Sequence, residues 1–147
     1  MDRGVAVILT AFCGGLIALQ APINSRLGQT VGTFQGAVVS FAIGTVALTV
    51  LAALSHGGLG QISEARHLPW VYLTGGLLGA AYVTSVLVTV RTLGAGGVVA
   101  ATIAGQLTVS VVVDHYGLLG VARDPINAPK VLGLLLLAAG TFLVVRG

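Results

Sequence analysis

Five long stretches of this chain contain no Lys, Arg, Asp or Glu at all, and nothing constrains its folding more. They run from Gly4 to about Asn24, from about Thr33 to Leu54, from Trp70 to Val90, from about Gly94 to Val113, and from Val131 to Val145. About 20 apolar residues in a helix cross a hydrocarbon core of roughly 30 Å, and four of the five stretches meet that length. The fifth is only about 22 Å long as a helix, so Lys130 and Arg146 must reach outward to the headgroups. Only 7% of the 147 residues are charged and the mean hydropathy is +1.03, whereas a soluble domain carries about a quarter charged residues. The sequence therefore predicts an all-α polytopic membrane protein: one membrane domain over 1–147 with five transmembrane helices and the lipid bilayer as its solvent.

Other classes fall away on the same inventory. The pI near 9.6 comes from basic residues scattered singly or in pairs, with no run or aromatic interleaving to track phosphates, so no nucleic-acid partner is expected. One Cys forms no intrachain disulfide and no Cys-based metal frame. The first stretch resembles a secretory leader only superficially: Asp2 offsets Arg3, no A-x-A site surrounds Ala18 and Ala21, and four apolar stretches would still need lipid after cleavage. The three His, at 56, 67 and 115, fall in predicted loops, without a Ser-His-acid set, an HExxH or a phosphate-cradling glycine loop. Neither enzyme chemistry nor a cofactor or metal is expected. His115 beside Asp114 reads as a solvated surface pair.

Charge placement bears on assembly. All seven basic residues lie outside the five stretches, as the cost of charge at mid-bilayer requires. Five crossings put Arg3, Arg66, Arg123 and Lys130 on one side and Arg26, Arg91 and Arg146 on the other. The excess of Lys and Arg that normally fixes orientation is nearly absent, so copies are expected to insert both ways up. An odd number of spans then lets two inverted copies form a ten-helix assembly about a two-fold axis in the membrane plane, the symmetry of inverted-repeat transporters with a site near mid-bilayer. The plainer account is an accidental balance, with a partner chain or the insertion machinery setting the orientation.

Polar side chains inside apolar spans mark bundle interiors or aqueous paths. Thr102, Gln106, Ser110 and Asp114 recur every four residues, which places them on one helix face. Ile103, Leu107 and Val111 form the opposite face. The structural alternative is that the hydroxyls bond back one turn, Gln106 joins two helices and Asp114 sits at the water interface. In Gln20-Ala21-Pro22-Ile23-Asn24, Pro22 frees the carbonyl of Ala18. Gln20 and Asn24, one turn apart, then either bind a solute or repair the broken backbone, with Asn24 as a terminal cap. Gly36, Ser40 and Gly44, Gly75 and Gly79, and Gly133 and Gly140 are candidate close-approach positions. Trp70 and Tyr72 suit an interfacial aromatic belt, whereas the mid-span phenol of Tyr82 needs a partner in a core or a cavity.

With the Q-x-P-x-N at Gln20 to Asn24, the stretch from Gln106 to Asp114-His115-Tyr116-Gly117 and the Leu132-Gly133 to Gly140 stretch in view, the chain resembles the drug/metabolite transporter superfamily. It looks most like the small, half-size branch of YdcZ-type inner-membrane transporters. The resemblance implies a five-helix unit equal to half of an inverted-repeat ten-helix transporter, in the bacterial inner membrane, pairing with an inverted second copy or a paired homologous subunit to complete a solute path. One departure matters: small multidrug exporters of that superfamily carry a Glu in the first helix, where this chain has Cys13 and Gly14 and no acid. The combined expectation is a carrier working by alternating access on a small neutral or zwitterionic metabolite. Gln20, Asn24, Tyr82, Thr102, Gln106 and Ser110 would line its path, with Asp114 as the candidate ion-coupling group. A non-transporting scaffold or accessory subunit, or one half of a heterodimeric exporter of the small multidrug type, are the competing expectations.

Overall fold

A computed structural model describes residues 2–147, and among those residues the regular structure is entirely helical. Helix α1 spans Arg3–Val31, α2 Thr33–Leu54, α3 Gly75–Tyr116 and α4 Ala128–Arg146. Short 3-10 turns at Gly60–His67 and Trp70–Leu73 fill the segment between α2 and α3. Four helical stretches are long and apolar enough to cross a membrane: Arg3–Val31, Thr33–Leu54, Trp70–Tyr116 and Ala128–Arg146. Their apolar side chains are not packed away. Ile8, Phe34, Leu54 and Leu77 are each more than two-thirds exposed, a distribution that fits lipid and not water.

The helices outrun the apolar stretches that announce them. Helix α1 continues through Pro22 to Val31, because one proline removes a single ladder bond while the flanking bonds persist. Asn24 thus sits inside a helix and is no terminal cap. Gly32 ends α1 instead: its φ of 102° is open to glycine and costly for other residues, and α2 begins at the next residue. Helix α4 starts three residues before Val131, with the Asn127 side chain accepting the Lys130 N–H at 3.0 Å and Pro129 in the first turn. Its 19 residues measure about 28 Å, against the 22 Å expected. Helix α3 has 42 residues with one non-helical position, Gly94, at φ 69° and ψ 169°.

The chain divides into two compact units, one ending at Arg91 and the other running from Thr92 to Gly147. In the first, α1 and α2 turn about Gly32 and approach closely: a Cβ on Gly36 would lie 2.9 Å from the Cα of Gly28. Leu87, with no exposed surface, lies over both glycines and packs with Ala37 and Val83, with Tyr82 against the cluster. Of the expected small-residue contacts, Gly36 is used in this way and Gly79 faces Phe41, whereas Gly44, Gly75, Gly133 and Gly140 have nothing within 4 Å. In the second unit, α4 lies against the part of α3 after Gly94. The hydroxyl of Thr141 donates to the Ala100 carbonyl at 3.1 Å, and a Cβ on Gly97 would meet Val145 at 3.7 Å.

Candidate functional site

On α1, Ala21, Asn24, Ser25 and Gly28 are the buried residues, a three-to-four-residue rhythm that turns one face inward. Asn24 and Ser25 are only 6% and 5% exposed and are the buried polar residues of the chain's described part. Burying an amide among apolar neighbours costs free energy unless a partner compensates it. Asn24 borders a small cavity of about 10 Å³ together with Gln20, Ile17 and Ala21 of α1 and Tyr82, Val83 and Val86 of α3. That volume holds about one water or one solute hydroxyl. Gln20, Asn24 and Tyr82 therefore share one site, with Gln20 exposed at its edge and Tyr82 half-buried between the cavity and the core.

The chemistry of this lining is neutral. Two carboxamides supply two donors and an acceptor each, and the phenol supplies one of each kind. Neither an acid nor a Lys or Arg is among the seven lining residues. Such a lining can hydrogen-bond hydroxyl, amide or carbonyl groups and offers no fixed charge to a cation in low dielectric.

The second group of expected residues lies in the second unit. Thr102 is half-buried, Gln106 and Ser110 are exposed, and Asp114 is half-buried on the last turn of α3. On the opposite face, Val111 is buried while Ile103 and Leu107 are exposed. Back-bonding of hydroxyls to the preceding turn occurs at Ser85, Thr89 and Thr108.

Two features differ from the sequence reading. Ser25 is buried although it lies one residue beyond the first apolar stretch, which ends at about Asn24. His115 does not lie in a loop as a free surface pair with Asp114. It belongs to the last turn of α3, where its Nδ1 accepts the Ile126 N–H at 3.1 Å and its ring meets Tyr116 edge-on at 4.7 Å.

Long apolar helices with exposed apolar faces and a small neutral polar site define a multi-pass helical membrane protein. Comparison with known families narrows this class. The chain belongs to the family described as "Putative inner membrane exporter, YdcZ", whose profile matches residues 5–143. Membership places it among multi-pass transporters of the bacterial inner membrane. No curated protein and no solved structure matches the chain.

Proposed function

We propose that this chain is half of a small-solute carrier: a five-crossing unit that pairs with an inverted second copy and moves a neutral or zwitterionic metabolite by alternating access. The observation that carries the reading is the buried Asn24 amide at a cavity shared with Gln20 and Tyr82 and lined by no ionic group. A polar group kept at a helix–helix contact in lipid marks a solute path more often than a random surface. Membership of an exporter family supports transport as such.

The length of α3 supports the five-crossing reading. At 1.5 Å per residue its 42 residues would extend about 63 Å, twice the hydrocarbon thickness. Gly94 interrupts it at φ 69°, a backbone state that glycine reaches without penalty, and the two parts each match one crossing. The near-equal division of basic residues between the two sides then gives insertion no preferred direction. Thr102, Gln106 and Ser110 form the second polar lining in this scheme, and Asp114 is the group through which an ion is coupled.

The test is solute flux in liposomes with purified protein, screening neutral polyols, amides and zwitterions against cationic dyes. Asn24→Leu and Gln106→Leu are expected to lower flux at least tenfold while the protein still inserts. Flux of no solute class, with dimer stability lowered in both variants, establishes the scaffold reading instead. Reporters fused after Gly147 should signal from both sides of the membrane; a signal from one side only rules out the inverted homodimer.

A further inference from the structure

The segment 117–127 folds back onto the end of α3 and is fastened there at defined points. The Asp124 N–H donates to the Asp114 carbonyl at 2.8 Å, and the Arg123 Nε donates to the His115 carbonyl at 3.1 Å. These bonds engage carbonyls of the last helical turn, the Asp114 carbonyl also accepting the Gly117 N–H at 3.2 Å, and Arg123 brings positive charge to the negative end of the helix dipole. The third fastening is the Ile126 N–H, which donates to the His115 Nδ1 at 3.1 Å. From the other end, Lys130 holds the segment through the Asp124 carboxylate at 2.7 Å and the carbonyls of Asp124 and Pro125 at 3.0 and 3.2 Å. The segment is bent against its own preference. Leu119 adopts φ 56°, between Gly117 at 65° and Gly120 at 81°, and a residue with a Cβ is disfavoured in that region.

The Ile126 contact dictates a protonation state. A backbone N–H only donates, so Nδ1 must present its lone pair and the ring proton resides on Nε2. A second proton would place N–H against N–H and remove this fastening. The charged and titratable groups around the imidazole are Asp114 and Tyr116 on its own helix, Arg123 and Asp124 from the segment, and Lys130 from α4. Asp124 is already paired with Lys130, and a newly cationic imidazole would add a third positive charge beside Arg123 and Lys130.

We propose that residues 117–127 form a proton-operated strap, closed over the end of α3 while His115 is neutral and released when the imidazole takes up a proton. Release frees the His115 carbonyl, leaves the Asp114 carbonyl with the Gly117 N–H alone, and opens the water-side approach to the half-buried Asp114 side chain. Imidazole side chains in general change charge between about pH 5 and 8, which sets the two arms of the test. The inference rests on the hydrogen-bond geometry at His115 and stands apart from the transport reading.

The experiment places a spin label on the exposed Val121 position, as Val121→Cys in a Cys13→Ser background, in lipid nanodiscs at pH 8 and pH 5. The mobile fraction should rise relative to the immobile one by roughly five- to tenfold on acidification, the worth of one net hydrogen bond. His115→Asn keeps an oxygen acceptor near the Nδ1 position without titrating, and its label should stay immobile at both pH values. His115→Phe has no acceptor and should be mobile at both, with helix content checked by circular dichroism; if that variant does not fold, His115→Asn still decides. A wild-type label insensitive to pH overturns the strap. So does a pH response preserved in His115→Asn, which assigns the effect to Asp114 or Asp124.

Discussion

Replacing Gly36 by Ala tests how the first unit is held together, because the structure fixes both the sign and the size of the effect. The added Cβ would lie 2.9 Å from the Gly28 Cα, 3.0 Å from the Gly28 nitrogen and 3.3 Å from a Leu87 methyl. Carbon pairs sit comfortably at about 3.5–4.0 Å, so α1 and α2 must part by something near 1 Å. The two helices are joined by Gly32 alone, four residues from each contact glycine, so they cannot separate there without distorting the turn or lifting Leu87. Overpacking of this kind costs about 1–3 kcal/mol. Working against it, Ala is about 1 kcal/mol better than Gly inside a helix. Gly44, on the same helix with nothing within 4 Å, supplies the propensity gain without the clash. Unfolding of both variants in mixed micelles, with SDS as denaturant and circular dichroism as readout, isolates the clash as their difference. Gly36→Ala should be less stable than Gly44→Ala by about 1–3 kcal/mol, and equal stabilities within about 0.5 kcal/mol would refute the close backbone approach.

Further outcomes follow from the same contacts. A Cβ on Gly28 would press on the tip of Leu87 at 2.8 Å, so Gly28→Ala and Leu87→Ala should be coupled. In a double-mutant cycle by SDS unfolding, the pair should be less destabilised than the sum of its parts by about 0.5–3 kcal/mol. Gly32→Ala forces a φ of 102° on a residue with a side chain and brings its Cβ onto Gln35 Oε1; a loss of about 1–3 kcal/mol is expected in the same assay. Asp124→Asn removes one ion pair whose carboxylate is 64% exposed, while Lys130 keeps both carbonyl partners. It should change stability by less than about 1 kcal/mol and loosen the Val121 label far less than His115→Phe does.

The apolar stretches were legible because lipid excludes charge so strongly that gaps between Lys, Arg, Asp and Glu mark the crossing helices. Helix ends were less legible, since the backbone ladder continues wherever nothing breaks it. Helix α1 carries Arg26 and runs to Val31, and α3 carries Arg91, so an apolar run is shorter than its helix. Within the site, Gln20 and Asn24 could be paired from their spacing, whereas the presence of Tyr82 at the same cavity depends on how α3 packs on α1, which no local pattern encodes. The glycine pattern shows the same limit. Gly36 and Gly44 read alike in the sequence, yet only Gly36 meets another backbone. Its partner Gly28 lies beyond the end of the first apolar stretch, behind Arg26, where apolarity alone gives no sign of a helix contact.

These contacts also indicate where the fold's stability resides. In water, the exposed Ile8, Phe34, Leu54 and Leu77 side chains would drive collapse. In lipid they gain almost nothing from burial, because acyl chains are as apolar as leucine. Helix association then depends on dispersion at close backbone contacts and on interhelical hydrogen bonds, represented here by Gly28 on Gly36, Leu87 above both, and Thr141 on the Ala100 carbonyl. A unit held at so few points repacks at small cost, as the alternating access proposed above would require of each half. Asn24 fits this economy poorly as a structural device. An apolar residue at a buried helix contact in lipid packs without any requirement for a partner, so under the proposed carrier reading the Asn24 amide at the cavity's edge is there for the solute and not for cohesion. Flux and stability should therefore separate at Asn24, whereas at Gly36 and Leu87 they should fall together.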